Sequence, residues 1–265
     1  MKPVDVIRGT GPVILAAPHA GLFLPDEVVT ALNETGRALA DTDWHVDRLY
    51  EGLLPDATYV RARFSRYVID ANRDPSGQSL YPGQNTTGLC PTTDFDGASI
   101  YRPRREPDDE EVERRRRAFH APYHAALEQE IARVKSLHGG AVLYDCHSIR
   151  SRISYLFEGV LPDFNVGTNE GRTCAPEIED IVRKTCADAD GYSSVVNGRF
   201  KGGWTTRHYG RPAENVHAIQ MELAQSAYME EAPPWTYSPE KAGRLRIHLR
   251  DILTAIDDFA RKGLG

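Results

Sequence analysis

The chain has 265 residues, 40% hydrophobic and 26% charged, with a formal net charge of −6. That is the balance of an ordinary globular protein. The negative charge argues against a nucleic-acid surface, and no apolar run reaches the roughly 20 residues of a membrane span. The opening Met1-Lys2-Pro3-Val4-Asp5 lacks the charged and then apolar layout of a signal peptide, so a cytoplasmic location follows by default. The four cysteines (Cys90, Cys146, Cys174, Cys186) form no C-x-x-C pair and read as free thiols. Neither a repeat nor a long linker divides the sequence, so residues 1–265 are expected to form one domain.

In chain order, Val13 to Ala17 is a continuous apolar run, as expected of a strand buried on both faces, and it delivers His19 at its carboxyl end. Pro25-Asp26 opens a helix to about Asn33. Asp41 or Thr42 then caps a helix that carries Asp43 and Asp47 at i and i+4, on one face. Two stacked acids repel unless a cation sits nearby; for Asp43 an acidic first turn favoured by the helix dipole is the simpler reading. Ala57 to Ala62 reads as a strand. Tyr67-Val68-Ile69 is read as the apolar middle of another, flanked by Arg66 and by Asp70, Asn72 and Arg73. A guanidinium beside an asparagine at a strand end suits a carboxylate.

Residues 74–108, rich in Pro, Gly, Ser, Thr and Asn, read as a long loop, and Gly83 to Pro91 within it as a lid over a pocket. Asp108 to Ser136 is an expected long helix, in which Arg114 to Arg117 form a solvated face and His120 and His124 are ordinary helix histidines. The stretch Ala141-Val142-Leu143-Tyr144-Asp145-Cys146-His147-Ser148 reads as a buried strand ending in reactive residues, with Asp145 and His147 on one face. A loop over Tyr155 to Thr168 leading to another strand, a helix from Cys174 to Asp188, a loop from Lys201 to Gly210, a strand from Val216 to Leu223 with Glu222 near its end, and a helix from Pro239 to Lys262 complete the reading.

Several strands therefore end in His19, Asn72-Arg73, Asp145/His147 and Glu222. With Asp47 they supply two histidines and a carboxylate, the ligand set of a catalytic zinc that leaves a position open for water. Zinc lowers the pKa of bound water from 15.7 to about 7, and Glu222 could pass the water's proton to a leaving amine.

The motifs Pro18-His19-Ala20-Gly21, Trp44 to Tyr50, Arg63 to Arg73, Asp145 to Ser148 and Lys201 to Gly210 resemble those of the N-formylglutamate amidohydrolases, in order and over nearly the whole chain. The resemblance implies a zinc-exopeptidase-like α/β fold (phosphorylase/hydrolase-like): three layers, α/β/α, with a mixed central sheet. It implies hydrolysis of N-formyl-L-glutamate to L-glutamate and formate, a last step of one histidine-degradation route, with one divalent metal ion, zinc by expectation. A related hydrolase of another N-acyl amino acid or peptide-like amide is the alternative. A metal-binding module without turnover would need neither Glu222 nor paired arginines. Zinc carboxypeptidases carry His-x-x-Glu, whereas Leu22 stands three residues after His19. The acidic ligand must come from elsewhere, with Asp47 the first choice and Asp43 the second. The resemblance thus implies His19, Asp47 and His147 as metal ligands and Glu222 as proton carrier, with His208 adding a hydrogen bond to the oxyanion. Asn72 with Arg73 would grip one substrate carboxylate, and Arg207 or Arg66 the other. The partner is a small anionic substrate.

Overall fold

A computed structural model describes residues 1–79, 83 and 85–264. Its centre is a seven-stranded mixed sheet: β1 (Val4–Ile7), β2 (Val13–Ala17), β3 (Thr58–Ala62), β4 (Ala141–Ile149), β5 (Phe164–Gly167), β6 (Ser194–Val196) and β7 (Val216–Ala224), in the order β1-β3-β2-β4-β7-β5-β6. The four middle strands β3, β2, β4 and β7 are parallel. The edge strand β1 pairs antiparallel with β3, and β5, itself parallel to β6, pairs antiparallel with β7. Every residue of β2, β4 and β7 is buried, which is why β2 is apolar throughout and β4 opens on an apolar run rather than alternating.

The helices are α1 (Asp26–Ala31), α2 (Glu34–Arg37), α3 (Val46–Tyr50), α4 (Asp109–Arg115), α5 (Ala121–His138), α6 (Pro176–Ala187), α7 (Trp204–Tyr209) and α8 (Pro239–Gly263). They cover both faces of the sheet. Val142, Tyr144 and Cys146 of β4 pack with α3, α6 and α8, while Ala141 and Leu143 pack with α5 and α7. This is the expected three-layer α/β/α architecture. The alternation decides where chemistry can stand. Asp145 and His147 follow Leu143 onto the α5 side, and Gln220 and Glu222 follow Ala218, with His147 directly opposite Glu222 in the register.

Four local expectations are corrected. Tyr67 to Ile69 form turns rather than a strand, held by Val68 N–H to Ser65 O and Arg73 N–H to Asp70 O. The expected loop 201–210 contains α7, because Thr205, Thr206 and Tyr209 bury one side of a helical turn. The helix expected from Asp41 starts only at Val46, behind His45, whose φ of 61° breaks the backbone direction. The long helix expected from Asp108 is α4 and α5 joined by a π-turn at Arg116–His120, next to Pro122, which has no N–H to give to a regular ladder. β1 and β6, too short for a periodic signal, were not anticipated. Of the expected lid 83–91, Gln84 lies outside the described residues.

Candidate metal centre and cleft

The carboxyl ends of β2, β4 and β7 open into one cleft, as is usual for ligand sites on parallel strands. His19, Arg66, Asn72, Arg73, His147 and Glu222 all line it. At its floor His19, Asp43 and His147 are buried and offer ligand atoms within 4.8 Å of one another. His19 follows β2 and His147 lies on β4. Asp43 comes from the turn before α3, docked by its N–H to the carbonyl of His19.

The hydrogen bonds fix which ring atoms face the centre. His19 Nε2 lies 2.7 Å from Asp70 Oδ1, and His147 Nε2 lies 3.1 Å from Asp145 Oδ2. A carboxylate only accepts, so His19 Nε2 carries the proton and His19 Nδ1 presents a lone pair, whereas His147 has a carboxylate oxygen beside each of its nitrogens. His147 Nδ1 is 3.1 Å and His19 Nδ1 3.7 Å from Asp43 Oδ2. His19 Nδ1 is buried with no hydrogen-bond partner among the described residues. His19 Nδ1, His147 Nδ1 and Asp43 Oδ2 thus converge, and His19 Nδ1 is left without a donor. Metal-ligating histidines are oriented in this way, each by a carboxylate behind the ring.

The charges agree. Burial works against charge on Asp43, but Arg66, with its Nη2 2.6 Å from Oδ1, and the two histidines outweigh it and hold the carboxyl well below its usual range. Burial likewise opposes ionisation of Asp70, but Arg73, His19 and Arg66 overcome it. For His147, burial favours the neutral ring, yet Asp145, Asp43 and Glu222 pull its pKa well above the ordinary imidazole value. The cluster thus favours positive charge at its centre. The residues therefore fit a divalent ion. Burial, with Asp43 nearby, pushes Glu222 up to about 8 against His147 and Arg66, and Gln220 Nε2 donates to its Oε2 over 3.1 Å.

The wall is braced from behind. Asn72 Oδ1 accepts from Thr205 N–H at 2.9 Å, and its Nδ2 lies 3.2 Å from His147 Nε2. Arg73 Nε donates to Thr87 O, which ties it to the long loop, and Asn85, Thr86 and Thr87 of that loop line the cleft. His120 and His124 donate through Nε2 to the carbonyls of Arg73 and Ala71.

Three site expectations need correction. Asp47 lies outside the cleft: it pairs with Arg61 at 2.7 Å and its side chain is 34% exposed, because the turn at His45 sends Asp43 inward and Asp47 outward. The acid that stands with the two histidines is Asp43. Arg207 and His208 lie on the outer side of α7, not among the described residues that line the cleft; Arg207 Nε donates to Gly202 O and His208 stacks on Trp204 at 4.2 Å. One lining cation was missed. Arg199, after β6, stands in the cleft in a segment that carries no periodic signal.

The model of the N-formylglutamate amidohydrolase family matches residues 11–229. Proteins named N-formylglutamate deformylase from Pseudomonas putida and Pseudomonas aeruginosa are 46% and 45% identical over 256 residues, 96% of each chain. The crystal structure of N-formylglutamate amidohydrolase from Ralstonia eutropha is 28% identical and superposes with a TM-score of 0.83 over 99% of this chain and 100% of that one. A gene product of Agrobacterium tumefaciens shares the fold at a TM-score of 0.66 and 21% identity, over 97% of this chain and 96% of that one. The chain belongs to the N-formylglutamate amidohydrolase family.

Proposed function

We propose that the cleft hydrolyses the formyl amide of N-formyl-L-glutamate to formate and L-glutamate, with one divalent ion held by His19, Asp43 and His147. The observation that carries the reading is the buried cluster of His19, Asp43 and His147, backed by Asp70 and Asp145. Two histidines and one carboxylate are a zinc donor set, which makes zinc the ion of choice. Such an ion, when bound, supplies a Lewis acid that polarises the formyl carbonyl and acidifies water.

The chain's own residues do the rest. Glu222 accepts a proton from the attacking water at its carboxylate and returns it to the amide nitrogen as the amine leaves. Its raised pKa, near 8, suits a group that must both take and give a proton. The bound cation works in the opposite sense and keeps the carboxylate available as a base. Arg66, fixed between Asp43 and Asp70, adds positive charge to the wall without moving. Asn72 and Arg73, held from behind by α5 and α7, grip one substrate carboxylate.

No helix among the described residues is long and apolar enough to cross a membrane. The reading places the enzyme in the cytoplasm, acting on a small anionic substrate. The test is metal analysis of the purified protein, followed by formate release from N-formylglutamate with and without a chelator. Formate release that stops on metal removal and returns with zinc supports the reading. Turnover that survives complete metal removal rejects the ion, and no formate from the zinc-loaded protein rejects the substrate.

A further inference from the structure

The substrate of the proposed reaction carries two carboxylates, and a protein of net charge −6 must meet each with a local cation. Among the described residues lining the cleft, the arginines are Arg66, Arg73 and Arg199. Arg66 is committed to the acids behind the histidines: its Nη2 lies 2.6 Å from Asp43, its Nη1 3.7 Å from Asp70, and its side chain is only 7% exposed. Arg73 stands beside Asp70 at 3.7 Å and bonds Thr87.

Arg199 belongs to a separate part of the wall. Its Nε donates to Leu156 O over 3.0 Å and its Nη2 to Asn85 O over 3.2 Å, so backbone carbonyls aim the guanidinium. Its carbon lies 5.4 Å from the centre of the Phe200 ring. Leu156 and Phe200 line the cleft beside it. A cation next to apolar surface suits a carboxylate that hangs on a short methylene chain.

Resting on the function proposed above, we propose that Arg199 is the specificity residue that grips the side-chain carboxylate of the substrate. Leu156 and Phe200 pack on the methylenes, and Arg73 takes the other carboxylate. A guanidinium placed for a carboxylate discriminates against an uncharged isostere of the same shape, because its charge-assisted hydrogen bonds to two carboxylate oxygens are replaced by weaker ones.

The test measures kcat and KM of the zinc-loaded wild type, Arg199→Met and Arg199→Lys on N-formyl-L-glutamate and on N-formyl-L-glutamine. The wild type is expected to prefer the glutamate substrate by about 100-fold in kcat/KM, and Arg199→Met to lose most of that preference. Arg199→Lys restores part of the preference, mainly through KM. Arg199→Gln gives the same readout if the methionine variant does not fold. A preference that survives both neutral substitutions overturns the Arg199 assignment and leaves the proposed function standing. A wild type that releases formate from neither substrate overturns both.

Discussion

His124 donates its Nε2 proton to the carbonyl of Ala71 over 2.8 Å, and this bond ties α5 to the turn that carries Asn72 and Arg73. Its other nitrogen, Nδ1, accepts from the hydroxyl of Tyr209 at 2.9 Å on α7. The neutral ring therefore has a partner at both nitrogens and joins three elements around the back of the cleft. His120 repeats the device one helical turn earlier, at the carbonyl of Arg73.

This arrangement makes stability depend on pH. Burial, with His120 alongside, pulls His124 from 6.5 down to about 3. A histidine with a depressed folded pKa takes up its proton on unfolding, so its contribution is complete above 6.5 and is lost as the pH falls toward 3. The expected slope is about 1.4 kcal/mol per pH unit across that window. Denaturation curves of wild type and His124→Gln between pH 7 and pH 4 test it. The variant is expected to lose less stability on acidification, and parallel curves would remove His124 as the cause.

Asp43 and Asp47 are four residues apart and are expected to behave oppositely. Asp43→Asn removes an inward-facing acceptor and leaves Arg66 facing a neutral amide. Metal retention and formate release are expected to fall about 100-fold or more, beyond the 10–100-fold typical of a residue that only supports a ligand. Asp47→Asn breaks a half-exposed pair with Arg61, worth about 1 kcal/mol or less, and is expected to leave turnover intact. Metal content and formate release of the two variants, measured side by side, decide the matter.

Glu222→Gln keeps the shape of the wall and removes the proton carrier. The expected result is a drop in kcat of about 100- to 10,000-fold with KM little changed. Full metal occupancy in this variant is part of the expectation, since Glu222 is not one of the three clustered residues. A variant that turned over at the wild-type rate would transfer the role to another group.

Gly203 is placed where a Cβ would collide with the side chain of Asn72, and its N–H donates to Gln220 Oε1 over 2.7 Å. Gly203→Ala is expected to displace Asn72 and so the grip beside it. Displacements near 1 Å at a reacting centre cost about 100-fold, so kcat/KM should fall by an amount of that order while the melting temperature moves little. Steady-state kinetics with a thermal melt on the same sample give both numbers.

The sequence exposes what strand geometry controls. His19, His147 and Glu222 follow apolar runs buried on both faces, so the point where each run turns polar marks where the core ends. Asp43 is concealed by one backbone angle. A regular helix from Asp41 would stack Asp43 and Asp47, but His45 in the left-handed region delays the helix and turns the two acids apart. Arg207 looks inviting beside two glycines, yet the buried Thr205, Thr206 and Tyr209 fold that stretch into α7 and turn its basic residues outward. That burial pattern is the signal that separates Arg207 from Arg199. Arg199 itself sits between a three-residue strand and a glycine-rich turn, where no period exists to say which way a side chain points.

The pairing of β2 with β4 sets Ala16 opposite Asp145 and Leu15 opposite Tyr144. A slip of β4 by one position would turn His147 into the oily layer beneath α8 and present the Cys146 thiol in its stead. No halfway arrangement offers two imidazoles at once. Misregistered molecules would be silent rather than sluggish, because the cluster of His19, Asp43 and His147 would not form at all.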